Sequence, residues 1–365
     1  WASPLPIWKC QKCGEVEVIG SLKELGGKTK SSNKNLIIDL HRPYIDEVDI
    51  VCYKCGGKMK RVLEVLDGWF ESGSMPFAEY HYPLENKEQF EKRSPGDFVA
   101  EYIAQTRTWF YYMHVIAAIL FDDISFKNVL TTGNVLAEEG SKMSKSKGNY
   151  TDPMINLNKY GADALRYYLM TSVVMQAEDI KFLNDEIKES QNKVINILWN
   201  TFKFFEIYKK DYDGQTKSGS SNNILDKWIL ARLNILIKEV TESLDRYDTV
   251  KAGQSIKDFI NDFSTWYLRR SRERVKLGDE KDGQNALATM KFILIELSKV
   301  MAPFMPFLAE EIYKQAGGEK ESVHLENWPS FKKAKKGDTD LVNDTEEARK
   351  IVSLGLEARS KAGIK

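Results

Sequence analysis

Histidine and cysteine are scarce in this 365-residue sequence, at four each. Among His41, His81, His114 and His324 no two stand three residues apart, so a His-x-Gly-His turn is absent. Long apolar runs are missing too. Val115 to Phe121, the longest strongly apolar stretch, falls far short of the ~20 residues a membrane span needs. Residues 1–10 have neither a cationic n-region nor a long apolar h-region, so no secretory signal is expected. Neither sign of charge is in excess: Lys plus Arg number 53 and Asp plus Glu 53. That balance excludes a polybasic scaffold and leaves room for a local basic face. No G-x-G-x-x-G occurs, and Gly26-Gly27-Lys28-Thr29 only imitates a P-loop, because Leu22 takes the place of its first glycine. What the sequence does have is 42% hydrophobic and 29% charged residues, enough for a core shared over two or three domains, with no internal repeat.

The opening Trp1-Ala2-Ser3-Pro4-Leu5-Pro6-Ile7-Trp8 lacks a Met and carries aromatics and prolines that need something to pack on; it reads as a cut edge. To about Leu66 the chain reads as short strands and turns, with β-branched runs at Val16–Ile19, Leu36–Ile38 and Asp49–Tyr53. From Asp97 the apolar period lengthens, predicting a helix capped by Asp97 and carrying Phe98, Ile103, Phe110 and Met113 toward Ile119. Val129 to Thr132 reads as a strand entering a turn at Gly133. Strand, helix and strand in succession imply an α/β layer. After about Asp179 strand signals fade. Helical patterns run over 184–210, 225–246, 251–276, 283–301 and 306–316, broken by Gly/Ser-rich stretches and by Pro303 and Pro306. Lys332 to Lys336 reads as a solvated linker before one more helix.

Cys10-Gln11-Lys12-Cys13-Gly14 and Cys52-Tyr53-Lys54-Cys55-Gly56 hold all the cysteine. Each pair puts two thiols on a tight turn, and two such knuckles supply four soft ligands at tetrahedral reach, which suits a structural Zn²⁺. Two disulfides or buried free thiols are the alternatives, and without a secretory signal the disulfides are the poorer one.

The stretch Glu139-Gly140-Ser141-Lys142-Met143-Ser144-Lys145-Ser146-Lys147-Gly148-Asn149 alternates lysines with small hydroxyl residues between two glycines. Such a loop can bring ammonium and hydroxyl donors onto a polyphosphate. On charge alone a solvated Lys/Ser loop is the better description. Glu101, Gln105 and Trp109 recur at four-residue intervals, so on one helix they would share a face able to hold an amino acid. The plainer alternative packs Trp109 in a core and leaves Glu101 and Gln105 to water.

Lys142-Met143-Ser144-Lys145-Ser146 resembles the signature pentapeptide of class I aminoacyl-tRNA synthetases, with Tyr160-Gly161-Ala162-Asp163-Ala164-Leu165-Arg166 following as in that family. Asp67 to Pro76 and Gln105-Thr106-Arg107-Thr108-Trp109-Phe110 resemble its isoleucyl branch. Trp266-Tyr267-Leu268-Arg269-Arg270-Ser271-Arg272 and Met301-Ala302-Pro303-Phe304-Met305-Pro306 resemble that branch's helical anticodon-binding domain. The likeness runs through Lys365. It implies an α/β fold: the C-terminal part of a class I Rossmann-like catalytic domain with a small zinc-knuckle insertion, followed by an all-α bundle that binds the anticodon. The implied divisions are a re-entry strand and four-cysteine zinc-knuckle module over 1–66, the second half of the catalytic domain over 67–178, the anticodon-binding bundle over 179–330, and a linker with the start of a C-terminal region over 331–365.

The implied activity is the activation of isoleucine with ATP and Mg²⁺ and its transfer to tRNA(Ile), by a cytoplasmic enzyme that is a monomer when full length and has no membrane partner. By the same resemblance Lys145, helped by Lys142, stabilises the phosphates as the carboxylate of isoleucine attacks. Met143, Ser144 and Ser146 shape the loop, and Val135 and Leu136 hold adenine. Glu101 pairs with the substrate ammonium beside Gln105, while Trp69 and Trp109 sandwich the aliphatic side chain. Arg270 and Arg274 are the candidates for tRNA, and Cys10, Cys13, Cys52 and Cys55 for zinc. The chain departs from the branch at Tyr102 and Ala104, where Gly and Asp are usual. Without the His-x-Gly-His turn and an editing domain, this stretch is expected to be inactive by itself. A valyl enzyme, a non-catalytic tRNA-binding paralogue and one subunit of a split enzyme are the alternatives.

Overall fold

The computed structural model describes residues 2–29, 39–144, 146–150, 152–277, 280–332 and 336–364, and the expected strand at Leu36–Ile38 lies outside them. The chain divides into two compact units, Trp1–Leu130 and Thr131–Lys365.

The first unit begins with β1 (Ile7–Cys10), β2 (Val16–Val18), α1 (Leu22–Lys28), β3 (Ile50–Val51) and β4 (Lys58–Arg61). They form an antiparallel sheet in the order β2-β1-β4-β3, with Trp8 opposite both Glu17 and Arg61, and Ile50 opposite Met59. Its small core holds Trp8, Ile19, Leu25, Ile45, Ile50 and Met59 together with Cys10 and Cys52. The guanidinium of Arg61 is buried under this sheet, where it donates to Asp46 and to the carbonyls of Leu5 (3.1 Å) and Glu64 (3.0 Å). Buried charge is tolerable only when paired and hydrogen-bonded, and this one is both.

There follow α2 (Gly68–Gly73), α3 (Met75–Ala78), α4 (Lys87–Arg93), β5 (Val99–Tyr102), α5 (Trp109–Phe121) and β6 (Val129–Thr132), the last straddling the boundary. Here the structure corrects the expected helix from Asp97. Residues 99–102 are extended, 103–107 form a 3₁₀ turn, and the α-helix starts only at Trp109. The cause is long-range pairing. Gly96 N donates to Ser125 O (3.0 Å), Val99 N to Asn128 O (3.0 Å) and Lys127 N to Gly96 O (2.8 Å), so tertiary partners override local periodicity. Asp97 pairs with Lys127 instead of capping a helix.

The second unit opens on β7 (Val135–Leu136), α6 (Pro153–Tyr160), α7 (Ala162–Thr171) and β8 (Ile180–Lys181), with β7 and β8 parallel. The rest is helical: α8 (Asn184–Ser190), α9 (Asn196–Tyr208), α10 (Ile224–Leu244), α11 (Thr249–Asn261), α12 (Arg269–Leu277), α13 (Glu280–Met301), α14 (Pro306–Ala316) and α15 (Lys336–Lys361). Single π turns at 191–195 and 262–268 join α8 to α9 and α11 to α12. These helices match the periodic stretches of the sequence. A continuous core through Trp228, Phe202, Phe259, Tyr267, Leu294 and Phe304 joins them.

Candidate functional site

Four groups of residues are candidates for chemistry. In the first unit the cysteine knuckles are twins. Cys10 N donates to Glu15 O and Gly14 N to Cys10 O, while Cys52 N donates to Gly57 O and Gly56 N to Cys52 O. Gly14 and Gly56 close the two turns at φ +77° and +68°, a region that costs a residue with a Cβ. The Glu15 carboxylate receives Tyr53 Oη (2.7 Å) and Lys54 Nζ (2.8 Å), fastening one knuckle to the other. The four sulfurs lie within 4.8 Å of one another, with Cys10 and Cys55 3.5 Å apart and Cys13 and Cys52 3.7 Å apart. Those spacings are too long for disulfides, which measure about 2.05 Å. They match the ~3.8 Å edge of a tetrahedron with metal–sulfur bonds of about 2.3 Å. The amides of Cys13 (3.5 Å) and Lys12 (3.4 Å) point at Cys10 Sγ and draw its thiol pKa down to about 6. At Cys13 the Glu15 amide pulls the same way, but the thiols of Cys55, Cys10 and Cys52 and burial outweigh it and push that pKa up to about 12. Four thiols crowded at this distance favour a cation in their midst over four protons.

The second group, also in the first unit, is organised by the start of α5. Gln105 Oε1 accepts from Trp109 N (3.1 Å) and Thr108 Oγ1 (2.6 Å), so Gln105 caps α5 instead of lying within it. Trp109 Nε1 donates to Ser72 O (3.0 Å), locking its half-buried indole onto α2. A Cβ at Gly73 would stand 2.8 Å from Tyr112 Cβ, so α2 and α5 approach too closely for any larger residue. Asp67 caps α2 by accepting from Trp69 N (2.8 Å), and the Trp69 indole is exposed. Glu101 stands on β5, exposed, and its carboxylate accepts from the next amide, Tyr102 N, at 3.3 Å. The shared helical face expected of Glu101, Gln105 and Trp109 therefore does not exist. A strand, a turn and a helix start present the three residues instead.

The third group is the lysine loop, in the second unit. It leaves β7, and a bridge between Leu136 and Lys142 with the bond from Ala137 N to Ser141 O (2.9 Å) closes a tight hairpin. Asn149 then stitches the loop from beyond its end. Its Oδ1 accepts from Ser144 N (2.8 Å), and its Nδ2 donates to Ser141 Oγ (2.7 Å) and to Lys142 O (3.2 Å). Ser144 and Ser146 share a hydroxyl bond of 2.8 Å. Lys142 has no ion-pair partner among the described residues, so its charge is available. Lys145 lies outside the described residues. At the base of the loop, Asn134 binds Asp179 Oδ1 through its backbone N (2.7 Å) and Nδ2 (2.9 Å). A Cβ at Gly133 would overlap the backbone of Glu178, so only glycine permits this approach. Sequence reasoning missed Asn149 and Asp179. A polar residue just after the closing Gly148 was the available signal for the first, and nothing local marks the second.

On α12 the two candidate arginines part company. The Arg270 guanidinium lies 3.1 Å from the centroid of the half-buried Trp266 ring, on an exposed residue, and has no carboxylate partner among the described residues. Burial and then the nearby Arg269 and Arg349 lower its pKa, the sign of uncompensated positive charge. The expectation for Arg274 does not hold. Its side chain is 12% exposed, and its donors are spent on Asp226 (2.8 and 2.9 Å), Asp282 (2.7 and 2.8 Å) and Ser271. Burial opposes its charge, but the Asp282 and Asp226 carboxylates outweigh that and keep it protonated.

Comparison with known proteins places this geometry in context. A family model described as tRNA synthetases class I (I, L, M and V) matches residues 1–181, and one described as the anticodon-binding domain of tRNA ligase matches residues 226–365. The chain is 44% identical over 376 residues to an isoleucine–tRNA ligase of Clostridium acetobutylicum, covering 100% of this chain and 36% of that protein. It is 41% identical over 375 residues to the isoleucine–tRNA ligase of Thermus thermophilus, again covering 100% and 36%. The chain thus spans little more than a third of the length of these relatives. A solved ternary complex of LeuRS, tRNA and LeuAMS from Agrobacterium radiobacter K84 matches with a TM-score of 0.67 and 22% identity, over 94% of this chain and 41% of that one, a likeness of fold.

Proposed function

The chain belongs to the class I tRNA synthetases, an α/β catalytic part followed by a helical anticodon-binding domain, and on that premise we propose that it is part of an isoleucine–tRNA ligase. The observation that carries this reading is 44% identity across the whole chain to a protein of that name, with the Lys142-Met143-Ser144-Lys145-Ser146 loop intact. Two steps make up the reaction. A carboxylate oxygen of isoleucine attacks the α-phosphate of ATP, and pyrophosphate leaves, giving isoleucyl-adenylate. A terminal ribose hydroxyl of tRNA(Ile) then attacks the acyl carbon, and AMP leaves.

In the first step negative charge grows on the phosphates. Lys145 and Lys142 stabilise that charge more in the transition state than in the ground state, which is what accelerates the step. The hydroxyls of Ser144 and Ser146, with Met143, shape the loop that Asn149 ties. Val135 and Leu136, at its root, hold the adenine. Among the described residues the Glu101 carboxylate meets only the Tyr102 amide, which leaves it open to the substrate ammonium. Gln105 has its oxygen committed to capping α5 and offers only its amide NH₂. Trp69 and Trp109 bracket the aliphatic side chain. Mg²⁺ accompanies ATP as substrate.

Cys10, Cys13, Cys52 and Cys55 would hold a Zn²⁺ that cross-links the two knuckles, a structural role with every coordination position filled by protein. Arg270, spread on Trp266, is the cation for tRNA phosphate or an unstacked base. The reading carries with it a cytoplasmic enzyme that is monomeric when full length. No helix among the described residues is long and apolar enough to cross a membrane.

Isoleucine-dependent ATP–pyrophosphate exchange in the full-length protein tests the assignment. Lys145→Ala is expected to slow exchange by about 10²–10³-fold, the effect of deleting one pre-organised charge at a reacting centre. Unchanged exchange in that variant, or a preference for valine over isoleucine in the wild type, would refute the reading.

A further inference from the structure

The strand pair at the root of the lysine loop and the helical bundle are both fastened to α7, through adjoining faces of one ten-residue helix. On one face Asp163 accepts from Leu308 N (2.6 Å) and Phe307 N (3.3 Å), the first turn of α14. Arg166 Nη2 donates to Pro303 O (2.8 Å), and Tyr167 Oη donates to Gly253 O (2.9 Å) on α11. Thr171 closes the row: a Cβ on Gly253 would overlap its Cγ2, so α7 and α11 touch backbone to side chain. On the other face Ala164 and Tyr168 pack with Tyr160 and Ile187, and Tyr168 Oη donates to Lys181 O (3.3 Å) on β8. β8 is the strand that pairs with β7, from which the loop departs.

Asp163 is an odd means of ending α14. Met305, at that helix's own N-cap, makes no side-chain hydrogen bond. A Ser, Thr or Asn there would satisfy the same amides without burying a carboxylate. A cap supplied from α7 adds what a local cap cannot, a fixed separation between the helix that steadies the loop and the helix that ends the bundle.

We propose that α7 is a strut, with Asp163 as its positioning residue, that holds the RNA-binding bundle in register with the phosphate loop, so that transfer to tRNA depends on it and adenylate formation does not. This rests on the ligase reading above. α14, the helix that Asp163 caps, has 11 residues and spans about 17 Å. Loosening its seat by about 5° swings the far end by about 1.4 Å over that length. A displacement of about 1 Å can already cost on the order of 10²-fold in a positioned reaction.

In the full-length protein, Asp163→Ala is expected to leave isoleucine-dependent exchange within about twofold and the KM for tRNA(Ile) unchanged, while the kcat of charging falls at least about tenfold. Asp163→Asn, which keeps an acceptor for the Leu308 amide, should restore most of that loss. A parallel fall of exchange and charging would mark plain destabilisation, and unchanged charging a redundant cap; either overturns the strut. A second readout is free of activity. Spin labels on non-natural side chains at the exposed Met154 of α6 and Ile207 of α9 report the separation of loop base and bundle. A distance distribution that broadens in Asp163→Ala supports the strut, and an unaltered one overturns it. Absence of isoleucine-dependent exchange in the wild type would fail the ligase reading alone, and the distance measurement would still decide the strut.

Discussion

The four-stranded cysteine module and the helical bundle solve the same problem with different materials. The bundle buries Phe202, Phe205, Trp228, Phe259, Phe263, Tyr267 and Phe304 in one continuous core, so burial of apolar surface can carry its stability. The module, about 60 residues long, has Trp8, Met59, Ile50 and a few neighbours, and two of its buried side chains are cysteines. Chains of that size are marginal on burial alone, and metals or cross-links commonly make up the difference. If the four clustered sulfurs hold a metal, as proposed above, that cross-link does for the module what a row of aromatic rings does for the bundle.

Removing metal should therefore affect the module far more than the bundle. Structural zinc contributes apparent binding energies of about 10–16 kcal/mol at neutral pH, comparable to or larger than a whole domain's net stability. Treating the protein with a strong chelator is expected to expose the strands β1 to β4 to proteolysis while the melting of the helices at 184–316 stays put. A metal-free sample in which the module remains fully protected would show that its small core suffices. Metal analysis before chelation should return one Zn²⁺ per chain.

The next largest effect belongs to the bundle's own polar exception. Arg274 neutralises Asp226, whose carboxylate is buried and also receives Tyr267 Oη (2.6 Å) and Ser221 Oγ (2.5 Å). Truncation by Arg274→Ala strands two acidic groups and is expected to cost about 3–5 kcal/mol, read as a drop in the bundle's denaturation midpoint. Loss of tRNA affinity with stability intact would return Arg274 to the RNA-binding surface. Arg270→Ala makes the contrast, since an exposed cation removed from the surface should cost stability little.

These two regions were also unequally legible. Cysteine spacing announces the module because two short C-x-x-C turns write the sulfur cluster into four positions, and the twin turns need only Gly14 and Gly56 beside them. Helical periods announce the bundle because α9, α10, α11, α13 and α14 each bury a stripe of their own sequence. Between them, Phe98 and Ile103 counterfeit a helix: the hydrogen bonds that make 99–102 a strand come from 125–128, which no local pattern records. Glu101 and Gln105 remain candidates on the strength of family likeness, yet their geometry was not readable from a four-residue interval. Arg274 failed for a related reason. A run of arginines on one helix looks basic in sequence, and only folding reveals that Asp226 and Asp282 have claimed one of them.

Acid sharpens the contrast by the smallest increment. Glu310 on α14 accepts from Lys314 Nζ (2.8 Å), Val323 N (2.8 Å) and Ser322 Oγ (2.9 Å), pinning the 317–323 turn to its helix. The Lys314 bond first, and then the Val323 and Ser322 donors against the opposing effect of burial, hold its carboxyl down at about 2. A carboxyl whose folded pKa lies below the unfolded value of about 4.5 binds fewer protons folded than unfolded in that window. Its contribution is thus present in full above about pH 4.5 and is lost as the pH falls toward 2. Glu310→Gln should cost about 1 kcal/mol at pH 7 and flatten the bundle's stability between pH 4.5 and 2. Protons compete with metal for thiolates, so the cysteine module is expected to open at higher pH than this window. Hydrogen exchange followed down the pH scale distinguishes the two regions: the strands should lose protection before α14 does, and simultaneous loss would mean that the module and the bundle are held by the same kind of force after all.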